Sequence, residues 1–248
     1  MASAPEAPTA PVALVTGASR GLGLALSRSL AADGWHLVVD ARGAGALEAA
    51  ASELRAAGAA SVTVVAGDVA DAAHRAELAS TVERLGRLDA LVNNASVIGP
   101  IPQPRLAEYP LDELRRVYEI NALAPLALTQ LVLPVLERTE GSVLDVTSDA
   151  AVEGYEGWGG YGSSKAALEQ LDHVLAAEHP RLRFYRVDPG DLRTQLHAEA
   201  FPGEDISDRP EPEVAVPGLR RLLRRDLPSG RYRAAEVAEV PDVAGVGA

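Results

Sequence analysis

A chain of 248 residues that is 47% hydrophobic is long enough to bury one large α/β core, or two small ones. Its formal net charge of −12 argues against a general nucleic-acid or anionic-membrane surface, while a local cluster of donors for an anionic small molecule stays open. The absence of cysteine excludes disulfides and thiolate metal sites, and the five histidines lack metal-ligand spacing, so no metal is expected.

Residues 1–10 are rich in alanine and proline, with no basic stretch or apolar core, and read as a disordered tail rather than a signal peptide. No apolar run reads as long enough to span a bilayer, which predicts a cytoplasmic protein. From residue 11 to 248 the pattern reads as a single domain in which strands and helices alternate. Val12-Ala13-Leu14-Val15 suits a buried parallel strand and runs into Thr16-Gly17-Ala18-Ser19-Arg20-Gly21-Leu22-Gly23, with a helix to about Ala32. Strand, glycine-rich turn and helix form the context of a dinucleotide-phosphate loop, although the G-x-x-x-G-x-G spacing also suits an ordinary tight turn.

His36 to Asp40 predicts strand two, Gly45 to Ala57 a helix, and Ser61 to Ala66 strand three, closed by Gly67-Asp68-Val69. Ala72 to Leu85 is helical, and Leu88 to Ala95 gives a fourth strand ending in Asn93-Asn94-Ala95. After a proline-broken loop over 100–110, Leu111 to about Arg138 reads as one long helix. Asn121 and Pro125 inside it predict a kink, since both are poor helix-interior residues. Strand five spans Ser142 to Thr147 and ends at Ser148; a helix over Tyr161 to Ala177 and strand six over Leu182 to Val187 follow. Residues 195–213 read as a substrate lid or a plain surface loop, Val214 to Arg225 as a helix, and Gly230 to Arg233 as a last strand. Repeated β-α units predict a doubly wound, Rossmann-like parallel sheet with helices on both faces.

One lysine occurs in the whole chain, Lys165, against 22 arginines. A residue kept once where arginine serves everywhere else marks a site that needs a compact ammonium. Tyr161 lies four positions earlier, on the same helical face. The pair reads either as a solvated surface pair or as an acid/base unit in which the ammonium lowers the phenol pKa.

Taken in order, Thr16-Gly17-x-x-x-Gly21-x-Gly23, Asn93-Asn94-Ala95, Asn121, Ser148, Tyr161-x-x-x-Lys165 and Pro189-Gly190 resemble the short-chain dehydrogenase/reductase family, over roughly Val12 to Thr194. Ser148 lies 13 positions before Tyr161 and Asn121 lies 27 before Ser148, as the family pattern has them. The resemblance implies an oxidoreductase that moves a hydride between NADP(H) or NAD(H) and a carbonyl or secondary alcohol. Tyr161 would be the general acid/base and Ser148 would hydrogen-bond the substrate oxygen. Lys165 would lower the Tyr161 pKa and hold the nicotinamide ribose, and Asn121 would hold a water joining Lys165 to solvent. It further implies cofactor contacts from Gly17, Ser19, Arg20, Gly21, Leu22, Gly23, Tyr161, Lys165, Pro189, Val187, Gly190 and Thr194. Asp68 and Val69 would flank the adenine, and Asn94 and Ala95 the adenosine ribose.

The family's NAD-selecting acid falls here on Ala41, with Arg42 and Arg20 positioned for a 2′-phosphate, so NADP(H) is favoured over NAD(H) unless Asp40 swings in. Two departures stand out. Ser96 follows Asn-Asn-Ala where the family usually has glycine, and Tyr155 and Trp158 lie in a glycine-rich stretch before Tyr161. The two aromatics either wall a pocket for a flat or apolar substrate or pack against 195–213. A small-molecule partner and a homodimer or homotetramer are expected by resemblance, with neither nucleic acid nor membrane as partner. Redox-neutral chemistry on the same constellation and a non-catalytic dinucleotide sensor are the competing functions.

Overall fold

The computed structural model describes residues 8–238. The tail expected over 1–10 lies mostly outside these residues, as do 239–248 of the expected catalytic domain. Of that tail, Pro8, Thr9 and Ala10 are described, and the carbonyls of Pro8 and Thr9 accept hydrogen bonds from Arg87.

Seven parallel strands form one sheet in the order β3-β2-β1-β4-β5-β6-β7. They are β1 (Val12–Val15), β2 (His36–Ala41), β3 (Ser61–Ala66), β4 (Ala90–Asn93), β5 (Ser142–Val146), β6 (Arg183–Asp188) and β7 (Gly230–Arg233). The period-2 alternation of a strand sends successive side chains to opposite faces. In β1, Ala13 and Val15 accordingly enter one apolar cluster with Leu26, Leu30 and Leu219, while Val12 and Leu14 enter another with Leu78, Leu128 and Val132. Both faces are covered, which is why the strand reads as an unbroken apolar run.

The helices supplying that cover are α1 (Gly21–Ala32), α2 (Ala44–Ala56), α3 (Ala72–Leu85), α4 (Leu111–Tyr118), α5 (Ala124–Thr139), α6 (Gly159–Glu178), α7 (Gln195–Ala200), α8 (Val216–Leu223) and α9 (Ala234–Ala238). α3 shows how their ends are set: Asp71 accepts from the Ala73 N–H at the start, and Gly86 takes the left-handed conformation at the end.

The helical run Leu111–Thr139 differs from expectation in two ways. A five-residue π-helix, Glu119–Leu123, sits around Asn121, and Pro125 merely opens α5 behind it. The irregularity is therefore a wide turn at Asn121 rather than a proline kink. The run is also, by length and a mean hydropathy of 1.5, apolar enough to cross a membrane, contrary to the sequence reading; 56% of its apolar window is buried inside the fold, where Leu128, Val132 and Val135 face the sheet. Part of 195–213 is likewise more regular than expected, with α7 at its start and a short 3-10 turn, Pro212–Val214, at its end.

Strand order reverses between β1 and β4, so their carboxyl ends diverge and leave a crevice. Pairing of Val15 with Val39 and Val92, of Asn93 with Asp145, and of Val146 with Val187 sets the residues that follow each strand along one edge. Thr16, Asn94, Thr147 and Asp188 therefore meet at that edge.

Candidate active site

A cleft of about 820 Å³ opens along this edge. Of the residues expected to bind cofactor or act in catalysis, Gly17, Ser19, Arg20, Gly21, Leu22, Arg42, Asp68, Val69, Asn94, Ala95, Ser148, Tyr161, Lys165, Pro189, Gly190 and Thr194 line it. Gly23, Asn121 and Val187 are set back from it.

The floor on the glycine-loop side is stitched from both sides of the crevice. Thr16 Oγ1 accepts from the N–H groups of Asn94 and Ala95 at 3.0 and 3.1 Å. Asn94 Nδ2 donates to the carbonyls of Thr16 and Gly17 at 2.9 and 3.1 Å. The Asn94 Nδ2 is thus engaged in holding the loop. Gly23 serves the same closure: a Cβ there would lie 2.5 Å from Asn94 Nδ2 and from the Gly17 carbonyl. No side chain caps the N-terminus of α1. The first N–H groups of a helix have no intrahelical partner and attract an anion. Open donors at the floor of a long cleft fit a dinucleotide pyrophosphate.

Towards the adenosine end, Asp40 does not face the cleft as a free carboxylate. It is 1% exposed, and His74 Nε2 lies 2.6 Å from its Oδ1. Burial pushes the Asp40 carboxyl up while His74 opposes that, and the Asp40 bond holds the His74 ring above its usual range. The expectation that Asp40 could swing in as a ribose ligand is corrected by this buried pair. Arg42 is exposed at the cleft mouth, and Arg20 donates to Gln195 Oε1, joining the glycine loop to α7.

The other end gathers Ser148, Tyr161 and Lys165. A Cβ on Gly162 would lie 2.4 Å from the Ala150 carbonyl; without one, α6 presses onto the turn after β5 and carries Tyr161 to Ser148. The hydroxyls of Ser148 and Ser96 both favour the ionised form of the Tyr161 phenol. Ser148 Oγ also donates to Asp149 Oδ1 at 2.9 Å and accepts from the Ala150 N–H at 3.2 Å, so it caps a 3-10 turn and faces Tyr161 at once. Behind it, Arg231 of β7 donates to the Ser148 carbonyl and to Glu169 at 3.0 Å each. Arg231 lies 83 residues from Ser148, and no sequence spacing announces it.

Lys165 is buried, and Nζ donates to the Val146 carbonyl at 2.8 Å, standing 5.7 Å from the centre of the Tyr161 ring. Burial pushes its pKa down to about 8, against the pull of Asp145 and Glu169. Tyr161 is shifted the opposite way from the sequence expectation: burial raises it most, with Asp188 and Asp149 adding to the rise and the hydroxyls of Ser96 and Ser148 opposing it. Desolvation of the phenolate outweighs the neighbouring ammonium. Beneath Lys165, burial raises the carboxyls of both Asp145 and Asp172, Asp172 well above the usual range, and Asn93 donates to Asp145 Oδ1 at 2.7 Å.

Asn121 sits behind the cleft. Its Oδ1 accepts from the Val97 N–H at 2.9 Å and from Ser96 Oγ at 3.1 Å. Its Nδ2 donates to the Val97 carbonyl at 2.8 Å and Ser164 Oγ at 3.0 Å. Fully buried and bonded at both ends, the side chain fixes the loop after β4. Thr194 Oγ1 accepts from the His197 N–H and caps α7.

The open choice for Trp158 is resolved both ways: it lines the cleft, packs edge-on against Tyr161, and meets Phe201 at 5.7 Å between ring centres. Phe201 in turn meets His197 at 4.9 Å. Ile98, Leu196 and Ala200 complete this apolar wall, of which only Trp158 was singled out in the sequence. Tyr155 is exposed and donates to Asp149 Oδ2 at 3.0 Å.

A doubly wound fold of this topology with this site points to an oxidoreductase, and the relatives agree. The family model for short chain dehydrogenases matches residues 11–205, and the chain belongs to that family. An oxidoreductase of Saccharomyces cerevisiae, YIR035C, is 29% identical over 93% of this chain and 91% of its own length. The (S)-benzoin-forming benzil reductase of the same yeast is 31% identical over 76% of this chain and 74% of its own. Among solved structures, an alcohol dehydrogenase from Thermococcus sibiricus complexed with 5-hydroxy-NADP superposes with a TM-score of 0.82. It is 32% identical and covers 94% of this chain and 99% of that one.

Proposed function

We propose that this protein is an NADP(H)-dependent reductase of uncharged aromatic ketones or aldehydes, working in reverse as an alcohol dehydrogenase. The observation that carries the reading is the convergence of Ser148, Tyr161 and Lys165 at one end of a cleft whose other end offers uncapped helix N–H groups. Bound there, the nicotinamide would supply the hydride. Gly17, Ser19, Gly21 and Leu22 would hold the pyrophosphate, Asp68 and Val69 the adenine, and Pro189, Gly190 and Thr194 the nicotinamide side. Tyr161 would give its proton to the carbonyl oxygen, and Ser148 would donate to the same oxygen as charge develops on it. Lys165 would hold the ribose and keep a positive charge near the phenol.

NADP(H) is favoured because Asp40 is tied to His74 while Arg42 stands exposed at the mouth; Arg20, also on the cleft, is bonded to Gln195 of α7. The NADP analogue in the archaeal alcohol dehydrogenase supports the same choice. The wall of Trp158, Phe201, Ile98 and Leu196 favours a flat apolar group, as the name of the benzil reductase suggests for that relative. Asp149, Glu156, Asp188, Asp191 and Glu199 on the cleft disfavour an anionic one. Residues 195–213 would act as the lid, since α7 brings Leu196 and Ala200 onto the Trp158 wall. Exposed Leu123, Leu131 and Val174 support pairing of subunits along the α5 and α6 faces.

The test is the initial rate of NADPH and of NADH oxidation with aryl ketones, aliphatic ketones and aryl keto acids. The expected ranking is aryl ketone first, keto acid last, and NADPH above NADH throughout. Absence of turnover with every carbonyl, or a clear NADH preference, would contradict the corresponding part of the reading.

A further inference from the structure

Ser96 follows the strand-end asparagines, and its place is set from both sides. Behind it, the N–H groups of Asn94 and Ala95 are held by Thr16; ahead of it, Val97 exchanges two hydrogen bonds with the Asn121 amide. The residue between can only present its side chain where this frame puts it, in the cleft that Tyr161 also lines, with Asn121 and Ser164 linking it by hydrogen bonds to the Tyr161 carbonyl. Its hydroxyl donates to Asn121 Oδ1 at 3.1 Å.

The two serines that favour the Tyr161 phenolate are not equivalent. Ser148 points its proton at a carboxylate, Asp149, at 2.9 Å. Ser96 points its own at an amide oxygen that already has a shorter bond, 2.9 Å, from the Val97 N–H. A hydroxyl proton rotates freely about its C–O bond, and a bond to a charged acceptor is stronger than one to a neutral acceptor. The Ser96 proton is therefore the one most easily turned towards a new negative charge, and Asn121 Oδ1 keeps a donor when it leaves.

We propose that Ser96 is a catalytic hydroxyl, which rotates from Asn121 to Tyr161 and donates a hydrogen bond to the phenolate oxygen. The proposal rests on Tyr161 being the general acid/base. In reduction the Tyr161 O–H bond breaks, its proton goes to the substrate oxygen, and the Ser96 bond to Asn121 is exchanged for one to the phenolate. In oxidation the phenolate takes the alcohol proton and Ser96 turns back. No proton leaves Ser96 in either direction.

The surroundings create the need for such a donor. Asp149, after β5, and Asp188, at the end of β6, both oppose negative charge on Tyr161. Lys165, on α6 itself, favours it from 5.7 Å but is bonded to the Val146 carbonyl. Glu156, Asp191, His197 and Glu199 line the cleft further out.

The experiment is the pH dependence of kcat/KM for NADP+-dependent oxidation of 1-phenylethanol by wild type, Ser96→Ala, Ser96→Gly and Ser96→Thr. NADPH affinity is followed in parallel by quenching of tryptophan fluorescence. The rate should rise with pH over the accessible range, below the raised Tyr161 midpoint, as the ionised fraction of Tyr161 grows. Loss of the hydroxyl should raise that midpoint by about one unit or more, read as a roughly tenfold lower kcat/KM at every pH on this rising limb, with NADPH affinity kept. Ser96→Thr should follow the wild-type profile. An unchanged profile in both Ser96→Ala and Ser96→Gly, or an equal loss in Ser96→Thr, overturns the proposal. Turnover surviving in Tyr161→Phe overturns the acid/base reading beneath it and the proposal with it.

Discussion

On the cofactor side of the cleft, Thr16, Gly17, Gly23 and Asn94 interlock so closely that one added methyl group would strike a neighbour at 2.5 Å. In the loops flanking the substrate side, Gly154 and Gly203 have nothing within 4 Å, and the wall itself is made of rings meeting at 4.9 to 5.7 Å. The first region is specified by backbone geometry and hydrogen bonds, which tolerate little change. The second is specified by apolar area, which many side chains can supply. A rigid half that always meets the same ligand can be joined in this way to a half free to be reshaped for different ones.

The largest effect should come where the two halves join. Tyr161→Phe is expected to lower kcat by about a thousandfold, because general acid/base groups contribute on that scale, while NADPH affinity stays within about twofold. Steady-state kinetics with a cofactor titration checks both parts; a comparable loss of cofactor affinity would place Tyr161 in binding rather than chemistry.

The contrast between the walls is tested by paired alanines. Gly23→Ala is expected to destabilise the fold by about 1–3 kcal/mol and to weaken NADPH binding, since the new Cβ has to displace Asn94 or the Gly17 carbonyl. Gly154→Ala should change stability by no more than about 0.5 kcal/mol. Denaturant unfolding measures both, and equal effects would erase the distinction.

Lys165 tests what the joining point costs the fold. Its pKa lies at about 8 against 10.5 for a free lysine. The unfolded chain therefore binds more protons between those values, and wild-type stability should rise with pH across that window. Lys165→Met should be inactive yet more stable below pH 8, by about 1–3 kcal/mol, with the advantage fading towards pH 10.5. Unfolding curves at pH 7 and pH 10 read this directly; an advantage independent of pH would mean that burial of the charge is not its source.

The smallest effect belongs to the apolar wall. Trp158→Ala or Phe201→Ala should raise KM for aryl ketones by about tenfold, leave the NADPH KM unchanged, and barely affect small aliphatic ketones.

How far the sequence foretold this follows the same division. The strand-turn-helix order and the positions of Ser148, Tyr161 and Lys165 were legible because alternation and fixed intervals are local or nearly so. β2 nevertheless extends to Ala41, and the kink expected from Asn121 and Pro125 together takes the form of a π-helix around Asn121. The partners of Asn121 lie on the loop after β4 and on α6, at separations that no pattern within its own helix encodes. The same holds for Arg231 behind Ser148 and for His74 against Asp40. Tyr161 and Lys165 were recognisable as a pair, but the sign of the tyrosine shift depends on burial, which is a property of the packed fold. Phe201 and His197 went unnoticed because 195–213 looked irregular, while α7 aims them into the cleft.

The central claim, hydride transfer to a substrate carbonyl, is tested most directly by following the hydride. NADPH deuterated at the transferable C4 position would be incubated with an aryl ketone and the product examined by mass spectrometry. The account predicts an alcohol one mass unit heavier, with deuterium on the carbinol carbon and one cofactor oxidised per alcohol formed. Product formed without deuterium and without net cofactor oxidation would contradict it and point to redox-neutral chemistry on the same residues.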